Sequence, residues 1–281
     1  MRMKRGGSMA SISSAKEMKE QYSSDANLHS RIQIKRLFST GHLSWADFLL
    51  QEFQLKSNQH ILELGCGNGI FWRAVSNRIP QNIRLVLSDM SSGMLDVAKN
   101  NTNGFAFIEE YAEIDVQKIP YNNDTFDIVI ANYMLYHVPD IDMALSEISR
   151  VLKHDGFFYA ATFGKNNLME VDDTFKKFDD SADSVIDTIS RTFGLENGAN
   201  YLRNYFNSVK LKRYENSLHV TELNHLVEYF LSYRGMGNIS SIILDDKIPQ
   251  FIDFLAELFK KEHYFDITQD EGLFISYNPK K

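Results

Sequence analysis

Residues 60–69, His-Ile-Leu-Glu-Leu-Gly-Cys-Gly-Asn-Gly, constrain the fold more than any other stretch of the chain. A β-favouring run from Ile61 to Leu64 stops at glycines on alternate positions, Gly65, Gly67 and Gly69, and gives way to the amphipathic Ile70-Phe71-Trp72-Arg73-Ala74-Val75. That order predicts a buried strand, a tight turn and a helix. Glycine reaches left-handed backbone angles freely and leaves no side chain between the main chain and a ligand. The turn is therefore able to lie against a cofactor, although a turn that needs only a flexible backbone would use the same residues. A dinucleotide fingerprint closes its Gly-x-Gly-x-x-Gly with a glycine that lets helix and strand pack closely. Counted from Gly65 that position is Ile70, and counted from Gly67 it is Trp72, so the NAD spacing fails twice.

Arg84-Leu85-Val86-Leu87-Ser88-Asp89 reads as a second strand ending in an acid 20 residues beyond Gly69. A nucleotide-type fold places there a carboxylate that accepts from ribose hydroxyls. The competing role is capping of the next helix, which Ser91 or Ser92 starts and which carries Met94, Leu95 and Ala98 inward. A third strand is expected within residues 105–114. Phe126-Asp127-Ile128-Val129-Ile130-Ala131-Asn132 is apolar enough to be buried on both faces, as parallel strands are, with Asp127 fixing its start. Ligands of open α/β sheets bind beyond the carboxyl ends of the strands, which puts Asn132 to Asp140 where chemistry is expected. There His137, with an ordinary pKa near ~6.5, is a candidate base for a hydroxyl or amine, or else a packed residue satisfying local backbone. Tyr133 and Tyr136 are placed to position an acceptor by hydrogen bond or ring contact.

These stretches together resemble the class I S-adenosylmethionine (SAM) methyltransferases of small-molecule type. Gly-x-Gly-x-Gly after Glu63 resembles their first motif, and Asp89-Met90-Ser91-Ser92-Gly93-Met94-Leu95 resembles Asp-x-Ser-x-x-Met-Leu. Asp115-Val116-Gln117-Lys118-Ile119-Pro120-Tyr121 resembles Asp-Ala-x-x-Leu-Pro-Phe, and His137-Val138-Pro139-Asp140 resembles His-Val-x-Asp. Ile148-x-x-Val151-Leu152-Lys153-x-Asp155-Gly156 resembles Arg-Val-Leu-Lys-Pro-Gly-Gly, with His154 and Asp155 where Pro and Gly are usual. The resemblance is close over residues 55–165 and elsewhere extends only to the order of elements. It implies that Glu63, Gly65, Cys66 and Gly67 face the amino-acid moiety of SAM, and that Asp89, with Met90 beside it, holds the ribose. It further implies that Asp115 and the Val116 backbone read adenine, that Asn132 and Tyr133 flank the cofactor, and that S-adenosylhomocysteine is the product. The Asn/Asp-Pro-Pro-aromatic tetrad of enzymes that methylate amino groups of DNA, RNA and glutamine is missing, so the implied acceptor is a small or peptide-like molecule.

The fold class implied is a Rossmann-like α/β sheet of seven strands, mostly parallel with an antiparallel last strand, and helices on both faces. A flexible leader is expected at 1–14, with Met9 a plausible natural start, then a helical cap at 15–55 and the SAM-binding core at 56–164. A helical lid insertion is expected at 165–207, and late strands and helices at 208–281 complete the sheet. In the cap, Leu28, Ile32, Leu37 and Phe38 recur at helical spacing, Ser44-Trp45-Ala46-Asp47 has the form of a helix start, and Trp45, Phe48, Leu49 and Phe53 make an inner stripe. Tyr22, Arg31, Phe38, Ser39 and Trp45 then line the pocket, or serve only packing and solvation. Residues 208–219 alternate as a strand does, and helices are expected at 222–233 and 251–261, the latter with Phe251, Phe254, Leu255, Leu258 and Phe259 inward. Phe265–Tyr277 is a final strand or hairpin.

Charge and cysteine content exclude several function classes. With 37 acidic against 30 basic residues the formal charge is −7, a poor match to the phosphate backbone of a nucleic acid. The single cysteine, Cys66, rules out an internal disulfide and a multi-cysteine zinc site, and no His/Asp/Glu cluster has ligand spacing, so no metal is expected. No apolar run approaches the ~20 residues that span a bilayer. The basic start lacks the apolar segment of a secretory signal, which makes a cytoplasmic enzyme the default. The rival functions are methylation of a peptide-like natural product or carrier-bound acid, SAM binding without turnover, and nicotinamide oxidoreduction.

Overall fold

Two-residue alternation in the central strands decides how the sheet is covered. The computed structural model describes residues 25–281. Seven strands form one sheet: β1 (His60–Leu64), β2 (Arg84–Asp89), β3 (Ile108–Glu113), β4 (Phe126–Asn132), β5 (Leu152–Phe163), β6 (Phe206–Val220) and β7 (Phe265–Pro279). Their order is β3-β2-β1-β4-β5-β7-β6. Neighbours from β3 through β5 pair in parallel, whereas β7 runs antiparallel to both β5 and β6. Strand order reverses between β1 and β4, so the ligand-binding crevice of such a sheet opens beyond the carboxyl ends of these two strands.

The residues Leu62, Leu64, Val129, Ala131, Phe158 and Ala160 face one side. There they meet α5 (Ile141–Val151), whose apolar stripe Leu145, Ile148 and Val151 is completely buried. On the other side Ile61, Leu85, Leu87, Ile128, Ile130 and Tyr159 meet α2 (Trp45–Glu52) and α3 (Ile70–Val75), through Phe48, Leu49, Trp72 and Val75. Helix starts follow side-chain chemistry: Ser44 caps α2 through the Asp47 N–H at 3.1 Å, and Ser91 caps α4 (Ser92–Thr102) through the Met94 N–H at 3.3 Å. Asp127 ties the strand starts together, accepting from the His60 N–H at 2.8 Å and pairing with Lys153 at 2.8 Å.

A third core lies apart from the sheet faces. It gathers Ile34 and Phe38 of α1 (Asp25–Phe38), Val171 and Phe175 of α6 (Met169–Phe178), and Leu226, Tyr229 and Phe230 of α9 (Leu223–Leu231). Past the short helix α10 (Ile239–Ile242), Phe251 and Leu255 of α11 (Ile248–Glu262) complete it. Phe175 stacks on Phe251 with ring centroids 5.7 Å apart, and each such fully buried ring contributes roughly 2–3 kcal/mol by area removed from water.

Four local expectations change. On α1 the inner face is Ile34 and Phe38, one turn apart, while Leu37 is 46% exposed. On α11 only Phe251 and Leu255 are fully buried, and Phe254, Leu258 and Phe259 lie at the margin. The fifth strand begins at Leu152 rather than Phe157, because Leu152 already pairs with Phe126. The helical insertion divides: α6 joins the cap, whereas Phe193, at the end of α7 (Asp187–Phe193), and Leu202 of α8 (Gly198–Tyr205) pack under the sheet with Phe206. The final segment is one strand, which finds its partner in β6 rather than in a hairpin of its own.

Candidate active site

All three glycines of the first loop take left-handed angles, φ +67° at Gly65, +55° at Gly67 and +69° at Gly69. An added Cβ at Gly65 would stand 2.8 Å from the Met134 Cβ, whereas one at Gly67 would meet nothing within 4 Å. The first glycine is thus required by close packing, and the second faces open space.

Alternation puts Glu63 on the Ile61 face of β1, toward α3. Its carboxyl group is 3% exposed and accepts from the Trp72 indole N–H at 2.6 Å and the Asn132 amide at 3.1 Å. Burial raises its pKa to about 7 against the pull of these two donors. The Asn132 Oδ1 is buried with no hydrogen-bond partner among the described residues. Cys66, half-buried beside Glu63 and Asp89, has its thiol pushed well up by burial. At the tip of β2, Asp89 accepts from the Gly67 N–H and the Ser91 N–H, each at 2.9 Å. Burial raises its pKa while those backbone donors lower it. The same carboxylate therefore ties the glycine loop to the start of α4. Met90 follows it, half-buried. Beyond β3, Asp115 is exposed and accepts from the Gln117 N–H at 2.9 Å, and Val116 is buried beside it.

Tyr133, first after β4, has φ +54°, a conformation that side chains other than glycine's seldom adopt. Its ring stacks on Phe163 at 4.5 Å and meets Trp45 at 5.2 Å. Its hydroxyl donates to Glu271 Oε2 at 2.6 Å, and burial beside that carboxylate drives the phenol pKa far above 10. Glu271 also pairs with Lys35. Tyr136 meets His137 at 4.5 Å and Phe163 at 5.8 Å. His137 closes the short turn Leu135–His137, and burial lowers its pKa to about 4.

Sequence-predicted residues thus fall into two groups. Glu63, Gly65, Cys66, Gly67, Asp89, Asn132 and Tyr133 converge at the carboxyl ends of β1, β2 and β4, with Trp45 reaching the same place through Tyr133. Arg31 turns away, donating to Ser232 and lying over the Tyr233 ring at 4.5 Å. Phe38 packs in the cap against His225, and Ser39 bridges to Leu218 of β6. Tyr22 lies outside the described residues. Sequence reading passed over Glu271, Lys35 and Phe163. The only local signal was an acid ahead of the buried run Leu273–Ile275, and its partners stand far away in the chain.

Among the described residues no group of three or more His, Cys, Asp or Glu side chains is placed to hold a metal, and no helix is long and apolar enough to cross a membrane. The residues at the strand tips fit SAM on their own chemistry. The unpartnered Asn132 Oδ1 and the Glu63 carboxyl are acceptors suited to its ammonium, Asp89 is a carboxylate beside a loop that lacks side chains, and Gly67 borders open space.

Residues 62–160 match a family described as methyltransferase domain. The ubiquinone/menaquinone biosynthesis C-methyltransferase of Coxiella burnetii is 29% identical over 135 residues, 47% of this chain and 54% of that protein. The chain thus spans about half the length of the curated relatives it matches. Among solved structures, Haemonchus contortus phosphoethanolamine N-methyltransferase 2, in complex with SAM, superposes with TM-score 0.58 at 16% identity, over 97% of this chain and 61% of that one. A methyltransferase-like protein from Bacillus halodurans gives TM-score 0.55 at 17% identity, over 85% of this chain and all of that one. The strand order and the left-handed glycine loop agree with these comparisons: residues 62–160 match the methyltransferase domain, and the sheet has the Rossmann-like fold of its structural neighbours.

Proposed function

We propose that the protein transfers the methyl group of SAM to a small or medium-sized acceptor, in line, within a water-excluding cleft at the carboxyl ends of β1, β2 and β4. The observation that carries this reading is the Asp89 carboxylate at the tip of β2, bonded to the Gly67 N–H of a loop whose second glycine faces open space. In this reading Asp89 turns its remaining acceptor capacity to the ribose hydroxyls, with Met90 alongside. Glu63 and Asn132 take the ammonium, backed by the Gly65-Cys66-Gly67 main chain, and Asp115 with the Val116 backbone reads adenine. Bound SAM supplies an activated methyl group on sulfur, so the protein's task is mainly to align the acceptor and keep water out.

Tyr133 and Tyr136 present rings to the acceptor. The Tyr133 phenol stays protonated at neutral pH, which leaves it a donor and a wall rather than a base. His137, with a pKa of about 4, is neutral at pH 7 and a weak base, since proton abstraction is best served by a pKa near the working pH. We therefore assign it to lining the cleft, with a nucleophile that arrives already neutral. The relatives named as C-methyltransferases and the structural neighbour named as an N-methyltransferase differ in the atom their names say is methylated, so the shared core does not by itself choose it. A peptide-like natural product or a carrier-bound acid is the neighbouring reading, supported by the aromatic character of the cap.

Calorimetry tests the assignment directly. S-adenosylhomocysteine is expected to bind and NAD to leave the protein unchanged. Asp89→Ala is expected to weaken S-adenosylhomocysteine about 10- to 100-fold, the span of a hydrogen-bonded charge. Binding of NAD instead, or an Asp89→Ala affinity equal to wild type, overturns the reading. Incubating the protein with labelled SAM and cell extract then separates an enzyme, which yields a new labelled product, from a SAM-binding sensor, which does not.

A further inference from the structure

Glu271 is 1% exposed, on β7 directly opposite Phe163, the last residue of β5. Its carboxylate takes the Tyr133 hydroxyl on one oxygen and the Lys35 ammonium on the other. The same ammonium lies 5.8 Å from the Tyr133 ring centroid and 6.0 Å from that of Phe163, two rings stacked on each other. A carboxylate floor beside aromatic faces is the surrounding that a positively charged nitrogen favours, by charge-assisted hydrogen bonding and by attraction to the ring quadrupoles. Tyr133 follows β4 and Phe163 ends β5, so this box stands on the edge where the parallel strands of such sheets present their ligands.

We propose that the box is the recognition site for an ammonium group carried by the methyl acceptor, and that the Lys35 Nζ stands in for that group when no acceptor is bound. The proposal rests on the methyltransferase reading and narrows its acceptor to amine-bearing molecules. The two partners of the ion pair differ in freedom. Lys35 has a side chain 32% exposed on a flexible four-carbon stem, so it withdraws to water without loss of solvation. Glu271 is held on a paired strand and has no such exit, and a buried charge stripped of its partner is strongly disfavoured. An acceptor ammonium arriving as Lys35 leaves keeps the Glu271 carboxylate paired. An anionic acceptor would meet the Glu271 carboxylate unshielded. Glu271 and Phe163 are recognition residues in this scheme, and nothing in it requires that the nitrogen they hold be the one methylated.

The test uses the full chain saturated with S-adenosylhomocysteine, titrated by NMR with benzylamine and with its anionic counterpart benzoate. Benzylamine is expected to bind in preference to benzoate. Lys35→Ala, and Lys35→Met which keeps the stem, are expected to bind benzylamine about tenfold tighter because the internal competitor is gone. Adding Glu271→Gln, which still accepts from Tyr133, is expected to remove that gain. Unchanged benzylamine affinity in both Lys35 variants, equal binding of benzoate, or full binding with Glu271→Gln present each overturns the proposal. Affinity for S-adenosylhomocysteine within about threefold of wild type confirms that a variant's cofactor side is intact. If wild-type protein does not bind S-adenosylhomocysteine at all, the methyltransferase reading itself falls, and if it binds while the amine does not, only this inference falls.

Discussion

Two glycines two residues apart answer to different forces. At Gly65 an added methyl group would collide with Met134 as well as hold the backbone in a left-handed angle, whereas at Gly67 only the backbone angle resists it. Gly67→Ala is expected to cost about 1–2 kcal/mol of stability and Gly65→Ala at least about 1–3 kcal/mol more. Gly67→Ala, projecting into the cleft, is expected to show the greater loss of S-adenosylhomocysteine affinity for its modest loss of stability. Denaturant melts and calorimetry on the pair decide this, and equal stabilities would refute it. Glu63 and His137 form a second contrast. The Glu63 pKa is raised to about 7, so the stability linked to its protonated form is present below pH ~4.5 and is lost as pH rises through 7. The His137 pKa is lowered to about 4, so stability linked to its neutral form is present above pH ~6.5 and is lost as pH falls through 4. Each is worth up to about 3 kcal/mol, and the two slopes oppose each other between pH 4.5 and 6.5. Glu63→Gln is therefore expected to lose melting temperature more steeply than wild type on acidification across that window, and His137→Gln less steeply. Parallel slopes in thermal melts of all three proteins would contradict both assignments.

At the scale of elements, local sequence announces the strands and helices whose partners are near in the chain. The run from Ile61 to Gly69 specified strand, turn and helix because alternation and glycine act within a few residues, and Ser44 and Ser91 marked helix starts by reaching N–H groups three residues on. Leu37 shows the limit: periodicity gave an apolar stripe, but which residues face inward on α1 depends on α9, a partner nearly two hundred residues later. The cap core built by α1, α6, α9 and α11 also yields a prediction. Phe251→Ala removes the ring that stacks on Phe175 and meets Phe230 at 5.9 Å. A cost of about 3–5 kcal/mol is expected, with S-adenosylhomocysteine affinity kept within about threefold, because the emptied volume lies in the cap and not at the strand tips. Loss of cofactor binding in a folded variant would show the two regions to be one unit.

For the whole molecule, the gathering of side chains at the strand tips was legible and the meeting of Glu271 with Lys35 was not, for a physical reason. Asp89, Asn132 and Tyr133 stand at the ends of parallel strands, and a doubly wound sheet brings such ends together whatever else the chain does. Glu271 and Lys35 meet only because β7 enters between β5 and β6 and α1 folds over it, and no short-range pattern encodes that meeting. The division of the insertion between cap and sheet was hidden likewise, since Phe175 and Phe193 are equally apolar in sequence and choose opposite cores.

The long ladder between β6 and β7 carries a practical consequence. The chain leaves it at Val220 and returns at Phe265, residues that face each other across the two strands. Everything in between, including α9 and α11, is spliced in at a single closed seam, with its loose ends already fastened by backbone hydrogen bonds. Such a seam lets a lineage, or an engineer, exchange the enclosed segment without disturbing the register of the parallel strands.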